Sequence, residues 1–374
     1  VQFGRDRLSW GLGKTGNLMM SDNLPYHNML RFTAFSECFK YTFLTSVFPH
    51  EENYFPDERY SLTGSPNNEM FGTEYYIAHR IEGRFFNDRL TATLTEGLMY
   101  SSAKDHIQFE TLNPVSFYHN NYTAANNNSI LDFEADWTFA KGANVYVQFV
   151  MDEFQFIFEN QKWPAGTGLL GGMNYAVPLY GGIFTACVEG AYTDPYTYLR
   201  YKEWYKNSES EPYGIDFIVA NRVYSISLYN RAVYEEYCLG YKYGPDCITA
   251  NFNCGWKKQK LELGFNYFFM GHGTHDLWTK WAIKESFDKE YIKNNFTTPT
   301  TSHESSNNRF SDSYERDSVW YTNTISLAAS YRILPELKVF AQTDVVFVKN
   351  AFNLSTNGLE TDIQFVLGVK WNCF

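Results

Sequence analysis

Gly271-His272-Gly273-Thr274-His275-Asp276 places two histidines and an aspartate within five residues. Zinc and other first-row metals accept such ligands. A metal centre needs a further fixed ligand, and no His-Glu-x-x-His helix or third ligand stands near; a polar, glycine-rich turn at a strand end explains the same residues. Gly13-Lys14-Thr15 resembles the end of a phosphate-binding loop, but the first glycine of that loop would fall on Leu8, so the pattern fails. Ser101-Ser102 and Asp105-His106 supply hydroxyls, an acid and an imidazole without assembling nucleophile, base and orienter. Cys38, Cys187, Cys238, Cys247, Cys254 and Cys373 lack paired zinc-type spacing and read mostly as small apolar fillers, with a Cys238–Cys247 loop disulfide left open. The chemistry expected is therefore non-catalytic, with no metal and no cofactor.

Binding chemistry is better supplied. Flat aromatic rings stack on the apolar faces of sugars, while carboxylates and amides bond hydroxyls. Trp163, Trp204, Trp278 and Trp281, with Tyr196, Tyr198 and Tyr205, fall in or beside segments predicted as outer loops, and these are the candidate glycan-binding residues. Their other use is to anchor a barrel at the lipid interface.

The elements that must position these residues show in the composition and then in the pattern. The chain has 374 residues, including 29 Tyr and 32 Phe; 44% are hydrophobic, enough to exclude long disorder. No apolar run reaches the roughly 18 to 20 residues of a spanning helix. A net charge of −11 argues against nucleic acid as a partner.

Period two dominates. Leu131, Phe133, Ala135, Trp137 and Phe139 alternate with Asp132, Glu134, Asp136 and Thr138. Ile248, Ala250, Phe252, Cys254 and Trp256 alternate with Thr249, Asn251 and Asn253, and Leu261, Leu263, Phe265, Tyr267 and Phe269 with Glu262 and Asn266. The same alternation marks residues 324–332, 338–347 and 362–371. On strands this makes one apolar and one polar face. The segments run about 9 to 13 residues, the length a tilted strand needs to cross a bilayer. Trp137, Phe139, Trp256, Trp320, Tyr321 and Trp371 gather near their ends, as an interfacial girdle requires.

Connection lengths alternate too. Short turns are predicted near 35–38, 86–89, 140–143, 180–182, 220–222, 257–260 and 333–336; longer loops near 10–27, 49–72, 110–128, 153–171, 193–213, 234–246, 271–317 and 350–360. Short periplasmic turns and long extracellular loops describe a transmembrane antiparallel β-barrel of about 16 to 18 strands. The whole span 1–374 reads as that single all-β barrel. Closure follows from lipid, because an unpaired sheet edge in hydrocarbon costs several kcal/mol per polar group.

Residues 3–35, FGRDRLSWGLGKTGNLMMSDNLPYHNMLRFTAF, carry a more specific signal. Gly4, Arg5, Trp10, Gly11, Gly13, Gly16, Asn17, Leu18, Ser21, Asp22, Pro25, Leu30 and Phe32 form a Gly-Arg strand, a Trp-Gly turn, a Gly-Asn-Leu step, then Ser-Asp and a proline before an apolar strand. This resembles the core motif of the capsule-assembly outer-membrane proteins, the Wzi family. Val145-Tyr-Val-Gln-Phe-Val-Met-Asp-Glu153 is similar to that family's Tyr-x-Gln strand ending in Asp-Glu, and Val188-Glu-Gly-Ala-Tyr-Thr193 to its Glu-x-x-x-Thr strand. The three matches keep the family's order and span roughly the first half of the chain. The resemblance implies a Gram-negative-type outer-membrane barrel that holds capsular polysaccharide at the surface, with lipid and glycan as partners. It also implies that the chain starts after a small helical part and up to two strands. The alternative is a porin or substrate-selective channel whose acidic lumen favours cationic or neutral solutes. Arg5 and Asp22 are expected to pair locally.

Overall fold

The structure is a computed structural model that describes residues 1–48, 73–101, 109–113, 118, 127–153, 164–199, 216–226, 231–277, 279, 289–301 and 316–372. Among these residues sixteen strands follow one another: β1 (Gln2–Asp6), β2 (His27–Phe35), β3 (Phe39–Phe48), β4 (Glu74–Phe85), β5 (Leu90–Ser101), β6 (Asn127–Ala140), β7 (Ala143–Glu153), β8 (Gly166–Leu179), β9 (Gly182–Thr193), β10 (Ile218–Ile226), β11 (Arg231–Cys238), β12 (Cys247–Lys258), β13 (Leu261–His272), β14 (Trp320–Arg332), β15 (Leu337–Lys349) and β16 (Leu359–Trp371). Among the described residues one short α-helix, α1 (Lys289–Asn295), stands in the connection between β13 and β14. Among the described residues no helix is long and apolar enough to cross a membrane.

The protein is an antiparallel transmembrane-type β-barrel, and its wall is one sheet of fourteen strands in chain order. The wall departs from the predicted strand plan at one place. β10 and β11 pair only with each other, and β9 pairs directly with β12 from Thr193↔Cys247 to Ile183↔Lys257. The predicted short turn at 220–222 therefore lies inside β10. The reason is in the residues: Phe217-Ile218-Val219-Ala220 is an unbroken apolar run, buried throughout. A wall strand with water on one side cannot carry such a run, and this hairpin packs against the lumen contents instead. Among the described residues no pairing joins β1 to β16, so the sheet is not closed by hydrogen bonds.

Side-chain parity follows the predicted one. On β6 the outward residues are bare, with Phe133 46% and Trp137 52% exposed. Inward residues are covered: Asp132 is fully buried and Glu189 is 1% exposed. An apolar exterior over a polar, buried interior is the reverse of a water-soluble fold and is what a lipid-facing barrel requires. Tight connections close one end, as at Tyr180-Gly181, where both residues hold positive φ (52° and 71°), the two-residue turn that matches strand twist. Long connections occupy the other end. Cys238 and Cys247 are free, buried thiols, so the disulfide left open by the sequence is not formed.

Leu327 and Ser326 are neighbours near the middle of β14 on opposite faces. An arginine in lipid near the bilayer midplane costs ~2–4 kcal/mol. Leu327→Arg should therefore deplete the heat-modifiable folded form in membrane fractions, whereas Ser326→Arg should leave it. Equal yields from the two variants would remove the assignment of lipid to the outer face.

Candidate functional site

The first long connection, residues 7–26, does not stay at the rim. It folds into the lumen as a plug, and Leu18, Met19, Met20 and Leu24 are all buried there. Its turn is built by glycines. Gly11 has φ +117°, and a Cβ on Gly13 would stand 1.9 Å from the Gly16 carbonyl oxygen, so any side chain there would force the turn open. Asn17 staples the turn, accepting from the Gly13 N–H at 2.8 Å while its amide donates to the Ser9 hydroxyl at 2.8 Å. Trp10 and Met20 form an isolated bridge that closes the base.

Two wall side chains hold the plug. Glu189 on β9 accepts from the backbone N–H groups of Lys14 and Thr15, both at 2.7 Å, and from the Thr15 hydroxyl at 2.6 Å. Tyr146 on β7 donates to the same carboxylate at 2.5 Å. Gln148, also on β7, accepts from the Leu18 N–H at 2.7 Å. Tyr198 donates from its hydroxyl to the Leu18 carbonyl at 2.6 Å, and its own N–H donates to Asp152 at 2.9 Å. The three stretches that resemble the capsule-assembly family thus meet at one contact, with Gly13 to Leu18 on one side and Gln148 and Glu189 on the other.

Deeper in the wall, Arg80 donates both terminal nitrogens to Glu134, at 2.6 and 2.9 Å, and lies 5.4 Å from the Trp10 ring centroid. Bidentate guanidinium–carboxylate geometry is the strong form of such a pair. With Glu82, Asp136, Gln148 and Tyr146 it lines a cavity of about 350 Å³.

Two further cavities flank Tyr243. The outer one, about 320 Å³ at the long-loop end, is lined by Tyr243, Met270, His272, Asp276, Arg316, Trp320, Phe352 and Asn353. Trp320 and Phe352 lie 5.6 Å apart there, and the buried Trp320 indole N–H has no partner among the described residues. Arg316 donates to Asp276 at 2.7 Å. The inner cavity, about 640 Å³, lies toward the short-turn end between the plug and the wall. The Tyr243 ring separates the two, stacked on Phe268 at 5.3 Å, and burial pushes its hydroxyl up to about 12.

The sequence-predicted site residues distribute unevenly. Trp163, Trp204, Tyr205, Trp278 and Trp281 lie outside the described residues. Tyr196 and Tyr198 are 4% and 0% exposed. Tyr196 packs edge-on against His275 and Phe296, so both rings hold the loops and plug together and neither offers a stacking face in this structure. Arg5 bonds Asn28 and covers the Tyr26 ring, and Asp22 pairs with Arg7, so both charges are held locally. The His272 ring faces two backbone carbonyls, the His275 ring Nδ1 lies 3.0 Å from the Thr300 hydroxyl, and the His275 backbone N–H donates to Asp246 at 3.1 Å. Among the described residues no three metal-ligating side chains gather. Trp320 was expected in the lipid girdle beside Tyr321. Adjacent strand residues face opposite ways, and it is Trp320 that turns inward to the outer cavity. That alternation is the signal by which the sequence could have separated them.

No family model and no curated protein matches the sequence. Among solved structures, the chain is similar to Wzi of Escherichia coli, an outer-membrane protein involved in group 1 capsule assembly and described as a carbohydrate-binding β-barrel, with a TM-score of 0.52 and 11% identity. The match covers 98% of this chain and 66% of that one, so the chain spans just under two thirds of its length. It is more distantly similar to CymD, a monoaromatic hydrocarbon channel, at TM-score 0.29, 8% identity and coverage of 93% of this chain and 82% of that one. The Pseudomonas putida toluene transporter TodX gives 0.27, 9%, 93% and 82%. The last two scores are too low to define a shared fold. The Wzi likeness is one of fold: both chains are outer-membrane-type β-barrels.

Proposed function

We propose that the protein is a plugged barrel of a Gram-negative-type outer membrane that binds and retains polysaccharide at the cell surface without chemistry on it. The observation that supports this most directly is the plug pinned across the lumen by Glu189 and Gln148, because a channel for bulk solutes needs an open bore. The motif resemblance meets at that same contact. Near the long-loop end, Trp320 and Phe352 supply ring faces for sugars, and Arg316, Asp276 and Asn353 supply hydrogen bonds. Trp163, Trp204, Tyr205, Trp278 and Trp281 are assigned the same stacking role in the outer loops.

The rival reading is a substrate-selective diffusion channel. The observation in its favour is that the outer and inner cavities share Tyr243, so one ring lies between them.

Planar bilayers and glycan arrays separate the two. The plugged receptor should give no steady ohmic openings and should bind surface polysaccharide; steady conductance by the native protein without glycan binding would establish the channel instead. Glu189→Ala strands the buried Thr15 N–H at ~1–3 kcal/mol and frees the part-buried Lys14 N–H, and it should convert the silent barrel into a flickering pore and speed tryptic cleavage at Lys14. An unaltered conductance and cleavage rate would show that Glu189 does not hold the plug. Stacking is worth ~0.5–1.5 kcal/mol per ring, so Trp320→Ala and Phe352→Ala should each weaken glycan binding roughly two- to tenfold. Unchanged binding in both would move the site elsewhere.

A further inference from the structure

The inner cavity holds a charge arrangement that the plug does not use. Lys14, on the plug turn, and Lys242, on the segment leading into β12, both line it and are exposed to it. Among the described residues neither ammonium has a carboxylate within ion-pair distance, in a chain whose net charge is −11. The nearby acid, Glu189, is occupied by its four donors. Lys242 instead sits 4.8 Å from the Tyr243 ring centroid.

Opposite the lysines stands a surface of amides. Asn144, Asn174, Asn251, Asn253 and Asn266 line the cavity from four strands of the wall, β7, β8, β12 and β13. They bond one another only at the limit of hydrogen-bond length, 3.5 Å for Asn174 to Asn144 and 3.5 Å for Asn253 to Asn266. Asn144 is the most engaged, donating to Asp136 at 2.5 Å. The stacked Tyr243 and Phe268 rings complete the lining with an apolar face. At about 640 Å³ the cavity falls within the roughly 300–1,000 Å³ of ordinary ligand sites.

Two cations without counter-charge, amides with spare donors and acceptors, and an aromatic platform describe one ligand class. We propose that this cavity binds a sugar acid, a pyranose bearing a carboxylate, with the carboxylate between Lys14 and Lys242, hydroxyls on the asparagine amides and a ring face toward Phe268 and Tyr243. Charge-assisted bonds to a carboxylate are the strong kind, and an anion supplies the balance that the two ammoniums lack. The site is distinct from the outer cavity and opens toward the short-turn end. It does not rest on surface retention, since a selective channel would use it equally well.

Isothermal titration of the full chain in detergent tests the assignment, with trigalacturonic acid and its methyl ester as probes. The ester keeps the shape and removes the charge. The native protein should prefer the acid at least tenfold. A Lys14→Met/Lys242→Met double variant should bind acid and ester alike, and Phe268→Ala should weaken both. Both lysines are exposed to the cavity, so heat-modifiable migration of the double variant should match the native protein and report an intact fold. Equal native affinity for acid and ester overturns the proposal, as does a preference that survives in the double variant. Inorganic phosphate that displaces the trisaccharide at equal concentration would overturn the sugar assignment by reducing the site to a bare anion trap. Surface-glycan binding read on arrays is a separate measurement, and its loss or survival leaves this outcome unchanged.

Discussion

A single carboxylate carries the organisation of the lumen. Glu189 is 1% exposed and satisfies two backbone N–H groups of the plug turn, one plug hydroxyl and one wall phenol at once. A buried anion without such donors would cost several kcal/mol, so the carboxylate and the turn need each other: the turn closes the carboxylate's bonding, and the carboxylate fixes where the turn sits. Placement of the rest follows. Leu18 reaches Gln148 and Tyr198, Trp10 lies over Arg80, and Ser21 donates its N–H to Leu239 at the foot of the β10–β11 hairpin. Both flanking cavities are the space that this arrangement leaves unfilled.

The wall around the plug is polar by the same logic. Arg80, Lys40, Glu82, Asp132 and Glu134 form a connected set across β3, β4 and β6, with Lys40 on Glu82 at 2.7 Å and Arg80 on Glu134 at 2.6 Å. In a soluble fold so many charges on one sheet face would displace a core. Here the face looks into a lumen that holds polar plug groups beside a buried apolar cluster, and ion pairing within low-dielectric surroundings holds the side chains in place. The outward face meets a different solvent, and the two faces are independent enough that one side can be written in aromatics and the other in carboxylates.

That independence explains what the sequence reveals. Wall strands such as β6, β12 and β13 are legible because each residue declares its solvent, so period two survives over twelve to fourteen residues. The hairpin was misplaced because Phe217-Ile218-Val219-Ala220 declares neither solvent; its partners are other protein segments distant in sequence. Glu189 and Gln148 were visible only as letters within stretches that resemble a family, since their partners lie 130 to 175 residues away in the chain. Lys14 and Lys242 read as ordinary surface charges until the plug brings them to one cavity. Tyr196 and Tyr198 are buried rings, and the sequence does not reveal this because a ring in a loop serves packing as readily as recognition.

The direct ladder between β9 and β12 has one more consequence. Thr193 and Cys247 meet as neighbours although fifty-three residues separate them. The sheet thus runs on across this point without the intervening chain, hairpin included. Lineages could lengthen, trim or replace that excursion and so remodel what lies over the bore, while the strand ladder beneath keeps its register.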